Sequence, residues 1–391
     1  MKDPLVSVVI PCHDASGFIG RTLETACGQT YRNLEILVVD DGSTDDTVAL
    51  VRARMAGDDR IRLILQPNQG VAIARNRAMI EARGDLIAPL DADDLWHPEK
   101  IRQQVDRMQA CSQEVALVYC WPVNIDEQDT MRATQVSEEP PTYEGYVLPA
   151  LIQQNFIGCA SVPLFRRSCA LEVGGYDPRL REQDAEGCED RDLYLKMAER
   201  WKFAAVRRFL VGYRVRKGSM SRCVPAMMRS HRFVISQARS RHPEIPPAVF
   251  RWSGSRMSAW LAKRSALDLR LGTAAVLWAQ AVGLDPLYSL LTLPRMIGMT
   301  FRHSAALAFR SRPKRREPFS RLHPSRRVAR PCWIVRRRRS RIQRLCQEAQ
   351  QGDERDRHAT ASVCFVSGPI GEGDVADCPA GRGRIGGGLI E

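Results

Sequence analysis

The sequence predicts an α/β fold built on a doubly wound, mostly parallel sheet with helices on both faces. Strand-like and helix-like segments alternate through the first 120 residues, and the strand-like segments are short, continuous apolar runs. Such runs are typical of strands that are buried on both faces of a parallel sheet. Because parallel neighbours must be joined by crossover helices, the alternation predicts right-handed βαβ connections in this part of the chain.

The strand signal occurs five times. The first run, VSVVI at residues 6–10, is rich in β-branched residues and is followed by Pro11, which disfavours a longer central strand. The second run, LEILVV at residues 34–39, has the same character. The remaining strands are predicted at residues 61–65, 85–90 and 115–119.

Helices are predicted between these strands. Ser16 is placed to cap a helix over residues 17–28, and Ser43 or Thr44 is placed to cap a helix over residues 45–56. Further helices are predicted over residues 70–82, 98–110 and 190–200. The first part of the chain therefore has the order βαβαβαβαβ.

The regular alternation ends near residue 120. Residues 122–189 carry Pro, Gly and acidic clusters between short apolar runs, which predicts segments that wall a pocket. Residues 226–310 are predicted to form a basic helical extension, C-terminal to a main domain over residues 1–225. Residues 311–391 are rich in Arg and then in Gly, lack the periodic apolar residues of a packed core, and are predicted to be disordered.

The net charge of +13 is confined to one block of the chain. Residues 1–200 carry 21 basic and 33 acidic side chains, residues 201–350 carry 33 and 5, and residues 351–391 carry 4 and 7. In the basic block, aromatic residues do not alternate with the basic ones, and the sequence shows no recognised nucleic-acid-binding fold. Both observations weigh against nucleic acid as a partner. Two interpretations of the extension stay open: an Arg- and Trp-rich platform on an anionic membrane surface, and a helical appendage that packs on the main domain.

Three observations predict a location on the cytoplasmic side of the membrane. Twelve Cys residues are spread along the chain without a CxxC pair, which predicts reduced thiols rather than a disulfide scaffold. The apolar run at the N-terminus has six residues, too few for a signal peptide. The apolar stretch over residues 271–301 is cut by Asp285-Pro286 and Pro294-Arg295 into pieces too short to cross a bilayer, although it is suited to lie on the inner face of the membrane.

Acidic side chains follow three of the predicted strands. Asp14 comes shortly after the first strand, Asp40 ends the second, and Asp91 and Asp93 follow the fourth. In open α/β sheets, ligands bind at the carboxyl ends of the strands, so these carboxylates are expected at one edge. Crowded carboxylates repel one another unless a cation or a ligand's donors lie among them, and hard oxygen ligands suit Mg²⁺ or Mn²⁺. A metal held by Asp91 and Asp93 is therefore expected to face a phosphorylated ligand.

No glycine-rich phosphate loop follows the first strand. The sequence there has neither GxGxxG nor GxxxxGK[ST], which disfavours Rossmann dehydrogenases and P-loop enzymes. A nucleotidyltransferase is disfavoured as well, because it would need a Gly-rich loop bearing Lys or Arg to hold a triphosphate.

Six segments, in order and at the expected separations, resemble family 2 of the glycosyltransferases. They are VSVVIPCHDASGFIGRTLE, EILVVDDGSTDDT, NQGVAIARNRAMIEARGDLIAPLDADDLWHPEK, GCASVPLFRR, GGYDPRLREQDAEGCEDRDLYLKMAER and VGYRVRKGSMSR. The resemblance covers roughly residues 5–225. It implies a GT-A fold, a nucleotide-sugar donor, and a divalent metal, Mn²⁺ or Mg²⁺, as cofactor.

The resemblance also implies roles for residues on the donor side. Asp40 matches the acid that contacts the base of the nucleotide, with Asp14 and the backbone near Pro11 beside it. Arg75 matches an Arg of an ARN motif that faces the donor pocket.

Four further acids match the family's catalytic and metal-binding motifs. Asp91 and Asp93 match the DxD pair, in which the first meets the ribose or a metal-bound water and the second binds the cation that bridges the diphosphate. Glu189 and Asp190 match the family's ED pair, whose Asp is the usual general base. A carboxylate within hydrogen-bond reach of the acceptor hydroxyl can take its proton during attack on the anomeric carbon. The pair also precedes an apolar-periodic run, where acidic residues favour the start of a helix.

One segment departs from the family pattern. In YRVRKGSMSR, Arg216 stands where relatives often have a His, so a third protein ligand to the metal is not implied. Arg214, Lys217 and Arg222 are candidates to hold the diphosphate as a mobile flap, and a solvated basic loop is the alternative.

The resemblance implies an inverting, metal-dependent transferase that moves a sugar, from a UDP-sugar by preference, to a glycan or lipid-linked acceptor in cell-surface polysaccharide synthesis. The chain has no QxxRW motif, which processive members often carry, and no predicted transmembrane helix, so a single addition is favoured. The alternative from another class is a non-catalytic protein, whose degenerate transferase domain binds a nucleotide sugar or docks on an anionic surface. The intact acidic set argues against it.

Overall fold

The computed structural model describes residues 3–131, 140–216, 218–290, 292–294, 297–298, 318–321, 340–348 and 351. Residues Met1–Gln350 belong to one compact unit and Gln351–Glu391 to a second. Most of the predicted disordered tail, over residues 311–391, lies outside the described residues, as does Lys217. Residues 340–348 of it form a helix whose Ile342 and Cys346 are buried in the core, so the prediction of disorder is wrong for them, because tertiary packing orders this short segment.

The described residues form strands and helices close to the predicted ranges. The strands are β1 (Val6–Cys12), β2 (Leu34–Asp41), β3 (Ile61–Gln66), β4 (Leu86–Pro89), β5 (Leu95–Trp96), β6 (Val115–Ile125), β7 (Leu164–Arg166) and β8 (Lys202–Arg214). The helices are α1 (Ile19–Cys27), α2 (Thr47–Met55), α3 (Val71–Glu81), α4 (Lys100–Gln109), α5 (Leu148–Gln153), α6 (Arg167–Glu172), α7 (Arg179–Glu182), α8 (Glu189–Ala198), α9 (Val224–Arg241), α10 (Pro247–Leu267) and α11 (Leu271–Leu284).

The strands form one mixed sheet of order β3-β2-β1-β4-β7-β6-β8-β5. β1 pairs in parallel with β2 on one side and with β4 on the other, and β2 pairs in parallel with β3. The chain therefore builds outward from β1 to β3 and then returns to β4 on the other side of β1. With right-handed crossovers, this reversal puts α1 and α2 on one face of the sheet and α3 on the opposite face. The predicted α/β class with a mostly parallel sheet is confirmed, and the reversal puts a ligand crevice at the carboxyl ends of β1 and β4.

Two strands depart from the predicted parallel order: the two-residue β5, which is antiparallel to β8, and β7. β7 lies between β4 and β6 and is antiparallel to both. Its Phe165 pairs with Ile87 of β4 and with Leu117 of β6, so the fifth predicted strand is not hydrogen-bonded to the fourth. β7 comes from residues 122–189, whose apolar runs are too short to signal a strand. Because Leu164 and Phe165 are fully buried, tertiary packing rather than local propensity decides their conformation.

The first two helices begin without the predicted caps, and those predictions are wrong. Neither α1 nor α2 has a side-chain hydrogen bond at its N-cap. The hydroxyl of Ser43 instead accepts a hydrogen bond from the backbone N–H of Asp14 at 3.0 Å, and the N–H of Thr44 donates to the Asp14 carboxylate at 2.8 Å. The N–H of Ser16 donates to the carboxylate of Asp45 at 3.0 Å. These residues tie the β1–α1 loop to the β2–α2 loop, which fixes the two strand ends beside each other.

The helical extension shares the hydrophobic core of the sheet. Val234 of α9 and Leu261 of α10 are fully buried in the same cluster as Val8 of β1. α9 packs on α8, and α10 packs on α5. The domain boundary predicted after residue 225 therefore falls inside a helix, α9, that packs on the sheet domain.

α11 covers the first part of the apolar stretch at residues 271–301. It ends at Leu284, immediately before Asp285. Across the described ranges, no helix is both long enough and apolar enough to span a bilayer.

Candidate active site

A cavity of about 960 Å³ lies at the carboxyl ends of β1, β2 and β4. Its wall combines these strand ends with the start of α8 and with residues of the helical extension. Of the predicted site residues, it brings together Pro11, Arg75, Asp91, Asp93, Glu189, Asp190 and Arg214. Asp14, Asp40 and Arg222 are not among the residues that line it.

Asp91 is held by a buried arginine. Nη2 of Arg75, on α3, donates to Oδ1 of Asp91 at 2.5 Å, and the Arg75 side chain is only 5% exposed. The same guanidinium lies over the ring of Tyr176, 5.2 Å from its centroid. The backbone N–H of Asp91 donates to Oγ of Ser161 at 2.9 Å. Asp91 is thus fixed through one oxygen, while its side chain stays 27% exposed at the cavity.

Asp93 and Asp94 are adjacent but have different surroundings. Nε of Arg216 donates to Oδ2 of Asp93 at 2.7 Å, and burial raises the pKa of Asp93 against the opposing charge of Arg216. Asp94 is fully buried and accepts hydrogen bonds from the N–H of Arg214 at 2.8 Å and from Oγ of Ser161 at 2.6 Å. Burial, with the negative charge of Asp93, raises the pKa of Asp94 well above its usual range. Asp94 therefore joins β8 to the end of β4, whereas Asp93 faces the cavity.

The two acids at the end of β2 also differ. Asp40 is buried below the cavity and accepts a hydrogen bond from the N–H of Ser43 at 3.1 Å. Asp41 lines the cavity, and its two oxygens accept from the backbone N–H groups of Gln69 and Gly70 at 2.8 and 2.7 Å. Asp40 was the predicted base-contacting acid, but the side chain that borders the cavity is that of its neighbour Asp41.

Asp14 shapes a loop next to the cavity. It has φ 46°, a left-handed conformation that Asp tolerates better than most residues. Its carboxylate holds Thr44 through the backbone and is about half exposed. Its contacts therefore stabilise the loop that follows Pro11.

Arg214 is fixed at the end of β8. Its Nε donates to the backbone oxygen of Asp93, its Nη1 to the backbone oxygen of Asp126, and its Nη2 to the carboxylate of Asp129, each at 2.5 Å. The side chain is fully buried. These three bonds do not fit the predicted place in a mobile flap, because the guanidinium joins three parts of the main chain.

Arg222 was a predicted diphosphate ligand, but Arg216 is the residue that lines the cavity. Arg222 lies in a short 3₁₀ helix outside the cavity and pairs with Asp268, so the structure does not place it on a diphosphate. Arg216 lines the cavity, bonds Asp93 and lies over the ring of Phe18, 5.3 Å from its centroid. Within the described part of this segment, Arg216 is therefore the cation best placed to meet a phosphate.

Glu189 and Asp190 begin α8. Both oxygens of the Glu189 carboxylate accept from the N–H of Gly187, at 2.9 and 3.0 Å, so this side chain closes the turn before the helix. The Asp190 carboxylate lines the cavity and accepts a hydrogen bond from the N–H of Arg191 at 2.7 Å. Burial raises the pKa of Asp190 to about 6, with the positive charge of Arg75 acting in the opposite direction. Burial likewise raises the pKa of Glu189 to about 7. Asp190 is therefore a carboxylate poised near neutral pH, in the range suited to a general base.

The donor set at the strand ends fits Mn²⁺ or Mg²⁺ bound together with a diphosphate. Asp91 and Asp93 each bond an arginine through one oxygen, and the other oxygen of each has no hydrogen bond from the residues described. No group of three or more His, Cys, Asp or Glu side chains suited to a metal occurs in the described ranges. Two carboxylates are sufficient for such a cation, because Mg²⁺ commonly keeps waters and shares substrate phosphates.

Two parts of the wall were not predicted from the sequence. Arg181 of α7 reaches the start of α3, where Gly70 has φ 93° and a Cβ would lie 2.7 Å from the Arg181 side chain. Residues of α10, among them Trp260 and Lys263, also line the cavity. The only sequence signal for the second group was the richness of residues 226–310 in Arg and Trp.

Comparison with known proteins finds a family match that covers the strand-end part of the site. Residues 7–174 match the family described as Glycosyl transferase family 2. The chain is 31% identical over 199 residues to a chondroitin synthase of Escherichia coli, covering 50% of this chain and 27% of the relative. It is 29% identical over 210 residues to a hyaluronan synthase of Pasteurella multocida, covering 51% of this chain and 19% of the relative. The chain thus spans about a quarter or less of the length of these relatives.

Among solved structures, a mannosyltransferase of Pyrobaculum calidifontis in complex with GDP-Man and Mn²⁺ is similar. The TM-score is 0.48 and the identity 19%, and the match covers 80% of this chain and 89% of that chain.

Proposed function

We propose that this chain, whose residues 7–174 match family 2 of the glycosyltransferases, moves a sugar from a nucleotide-sugar donor, a UDP-sugar, to a hydroxyl of a glycan or lipid-linked acceptor in cell-surface polysaccharide synthesis. The observation that carries the proposal is the single cavity lined by Asp91, Asp93 and Asp190 together. The names of the relatives, chondroitin synthase and hyaluronan synthase, support polysaccharide as the product class.

On the donor side, the strand-end acids and two arginines receive the nucleotide. Asp91 and Asp93 would hold Mn²⁺ or Mg²⁺, which when bound stabilises the negative charge that develops on the departing diphosphate. Arg75 keeps Asp91 in place, and Arg216 is positioned to donate to a phosphate oxygen beside Asp93. No protonated acid is needed for departure, since the leaving group is a stable diphosphate.

On the acceptor side, Asp190 takes the proton of the attacking hydroxyl. The acceptor oxygen forms a bond to the anomeric carbon while the bond from that carbon to the diphosphate oxygen breaks. Attack from the face opposite the diphosphate inverts the anomeric configuration. Glu189 acts as a positioning residue, because its bonds to Gly187 set the first turn of α8. We further propose a single addition per acceptor.

The pH dependence of kcat/KM is expected to report Asp190. Burial raises the pKa of this carboxyl to about 6, so kcat/KM should fall about tenfold per pH unit below about pH 6. The sign follows from the base role, since Asp190 accepts a proton only when ionised. In the Arg75→Met variant the acid limb should move to higher pH, because Arg75 is the main charge that favours the ionised form. An acid limb near pH 4 in the parent, the ordinary value for Asp, would contradict the assignment.

Asp93→Asn is expected to remove the metal-dependent part of donor binding. UDP with Mn²⁺ should raise the Tm of the parent, since a ligand at 100 times its Kd stabilises by about 2.7 kcal/mol. In the variant, the increment due to Mn²⁺ should disappear, and release of nucleoside diphosphate from the donor should fall by about 10²-fold. Asp59 is an exposed acid in the turn that follows α2. Asp59→Asn is therefore the matched control, and it should behave as the parent. Retention of the Mn²⁺ increment by the Asp93 variant would show that the cation binds elsewhere.

A further inference from the structure

One face of α10 forms part of the cavity wall. Arg256, Trp260, Lys263 and Arg264 line the cavity, and their spacing of four, three and one places them on one side of the helix. The acids of the cavity, by contrast, come from the strand ends and from the start of α8. The cavity wall therefore includes a basic, aromatic stripe that belongs to α10.

The arginines of this stripe are committed to protein partners. Arg264 donates from Nη1 to the backbone oxygen and Oγ of Ser221, both at 2.8 Å, and lies over the ring of Trp260 at 4.4 Å. Arg256 donates to Gln154 and lies over the ring of Tyr288 at 4.7 Å. These contacts make the stripe a rigid surface.

Lys263 is different, because it has neither a hydrogen bond nor an ion pair with any described residue. It is partly buried in the cavity wall, and burial together with the charge of Arg264 lowers its pKa. The nearby acid Asp268 is occupied by Arg222. Burying part of an unpaired ammonium group costs free energy unless a ligand supplies an anion to pair with it.

The same cavity wall includes a second unmet donor and an apolar surface. The indole N–H of Trp278, on α11, is buried in the cavity wall and has no acceptor in the described part of the chain. Met220, Met257 and Trp260 line the same cavity. The wall thus offers two donors for an anion beside a surface suited to a sugar ring or a hydrocarbon chain.

We propose that Lys263, with Trp260 and Trp278, forms an acceptor subsite that binds an anionic group, a phosphate or a carboxylate, carried by the acceptor near its reactive hydroxyl. The inference rests on the proposed transfer reaction and narrows its acceptor to an anionic class. Two sources present this chemistry: the phosphate of a prenyl lipid carrier, and the carboxylate of an acidic sugar. The donor diphosphate is proposed to bind at different residues of the cavity, Asp91, Asp93 and Arg216.

The test compares the affinity of charged probes with that of their uncharged analogues, the neutral twins. Binding is measured on the full chain saturated with UDP and Mn²⁺. One pair is a uronate-containing tetrasaccharide and its carboxyl-reduced form, and the other is farnesyl phosphate and farnesol in detergent micelles. Calorimetry should show that one charged probe binds about 10- to 100-fold more tightly than its neutral twin, the size expected for a hydrogen-bonded charge. Whichever pair shows this preference identifies the source of the anion.

Variants of α10 assign the preference to Lys263. Lys263→Met should abolish the advantage of the charged probe, and Lys263→Arg should keep most of it. Arg251→Met, on an exposed part of the same helix, is the matched control and should leave the preference intact. UDP affinity should stay within about twofold in all variants, which also shows that they are folded.

Two results would overturn the proposal. In the first, both charged probes bind the parent no better than their neutral twins. In the second, Lys263→Met weakens UDP binding as much as probe binding, which would make Lys263 part of the donor site. Failure of the proposed transfer reaction is seen separately, as absence of nucleoside diphosphate release from nucleotide-sugar donors by the parent.

Discussion

Replacing Asp190 by Asn is expected to lower kcat by about 10²–10⁴-fold, the range observed for loss of a general base. The amide has nearly the same shape as the carboxylate, and its oxygen can keep the hydrogen bond from the N–H of Arg191. It cannot accept the proton of the acceptor hydroxyl, so the chemical step should slow while the donor still binds. Product release under saturating donor and acceptor measures kcat, and calorimetry with UDP and Mn²⁺ measures donor affinity, which should change by less than about threefold.

The pH profile separates loss of the base from a general distortion. The acid limb near pH 6 that Asp190 gives the parent should be missing from the residual activity of Asp190→Asn. Asp184→Asn is a suitable control, because Asp184 is exposed and has φ 49°, a conformation that Asn also tolerates. A kcat of Asp190→Asn within about tenfold of the parent would assign the base to another group.

The parts of the fold that sequence can predict are those fixed by local pattern. β1, β2 and β4 are continuous apolar runs, and all three are adjacent in the sheet. Because parallel strands end at the same edge, the positions of Asp91 and Asp93 follow from their place after β4. The start of α8 is predictable for the same reason, since acidic residues precede an apolar-periodic run.

The parts that sequence did not predict depend on distant contacts. Arg214 bonds the backbone oxygen of Asp93, 121 positions earlier in the chain, and no local pattern distinguishes this from a phosphate-binding role. β7 is a strand because it is buried between β4 and β6, not because its three residues favour one. Whether Asp40 or Asp41 borders the cavity depends on which carboxylate accepts hydrogen bonds from the loop before α3. In the structure, the N–H groups of Gln69 and Gly70 in that loop donate to Asp41.

The helical extension was the least predictable element, and it has the largest consequence for the site. Its charge and its Trp content suggested either a membrane platform or an appendage. In the structure, α9 and α10 are part of the common core, and α10 contributes one wall of the cavity. The link between this wall and the proposed base is a single buried side chain, Arg191, which directly follows Asp190 on α8.

Arg191 connects the base helix to three other helices. Its Nη2 donates to the backbone oxygens of Leu151 and Ile152 at the end of α5, at 3.1 and 2.7 Å, and to Oγ of Ser253 on α10 at 3.0 Å. Its Nη1 lies 3.0 Å from Nδ1 of His231 on α9. Burial and the charge of Arg191 lower the pKa of His231 well below its usual value, so this ring is neutral and its Nδ1 accepts the bond.

Arg191→Leu is therefore expected to lower the free energy of unfolding by about 3–4 kcal/mol, since several buried acceptors lose their donor and each unmet group costs about 1–3 kcal/mol. Removing the guanidinium also removes the cost of burying its charge. The expected loss is therefore smaller than the summed cost of the unmet acceptors. Thermal or urea unfolding without ligands measures the loss. Arg191→Lys should recover part of it, because one ammonium group reaches fewer acceptors, and Arg239→Leu, exposed on α9, should cost less than about 0.5 kcal/mol. An unchanged unfolding midpoint in Arg191→Leu would mean that α9 and α10 are held to the base helix by apolar packing alone, and that the cavity wall they form does not depend on this contact.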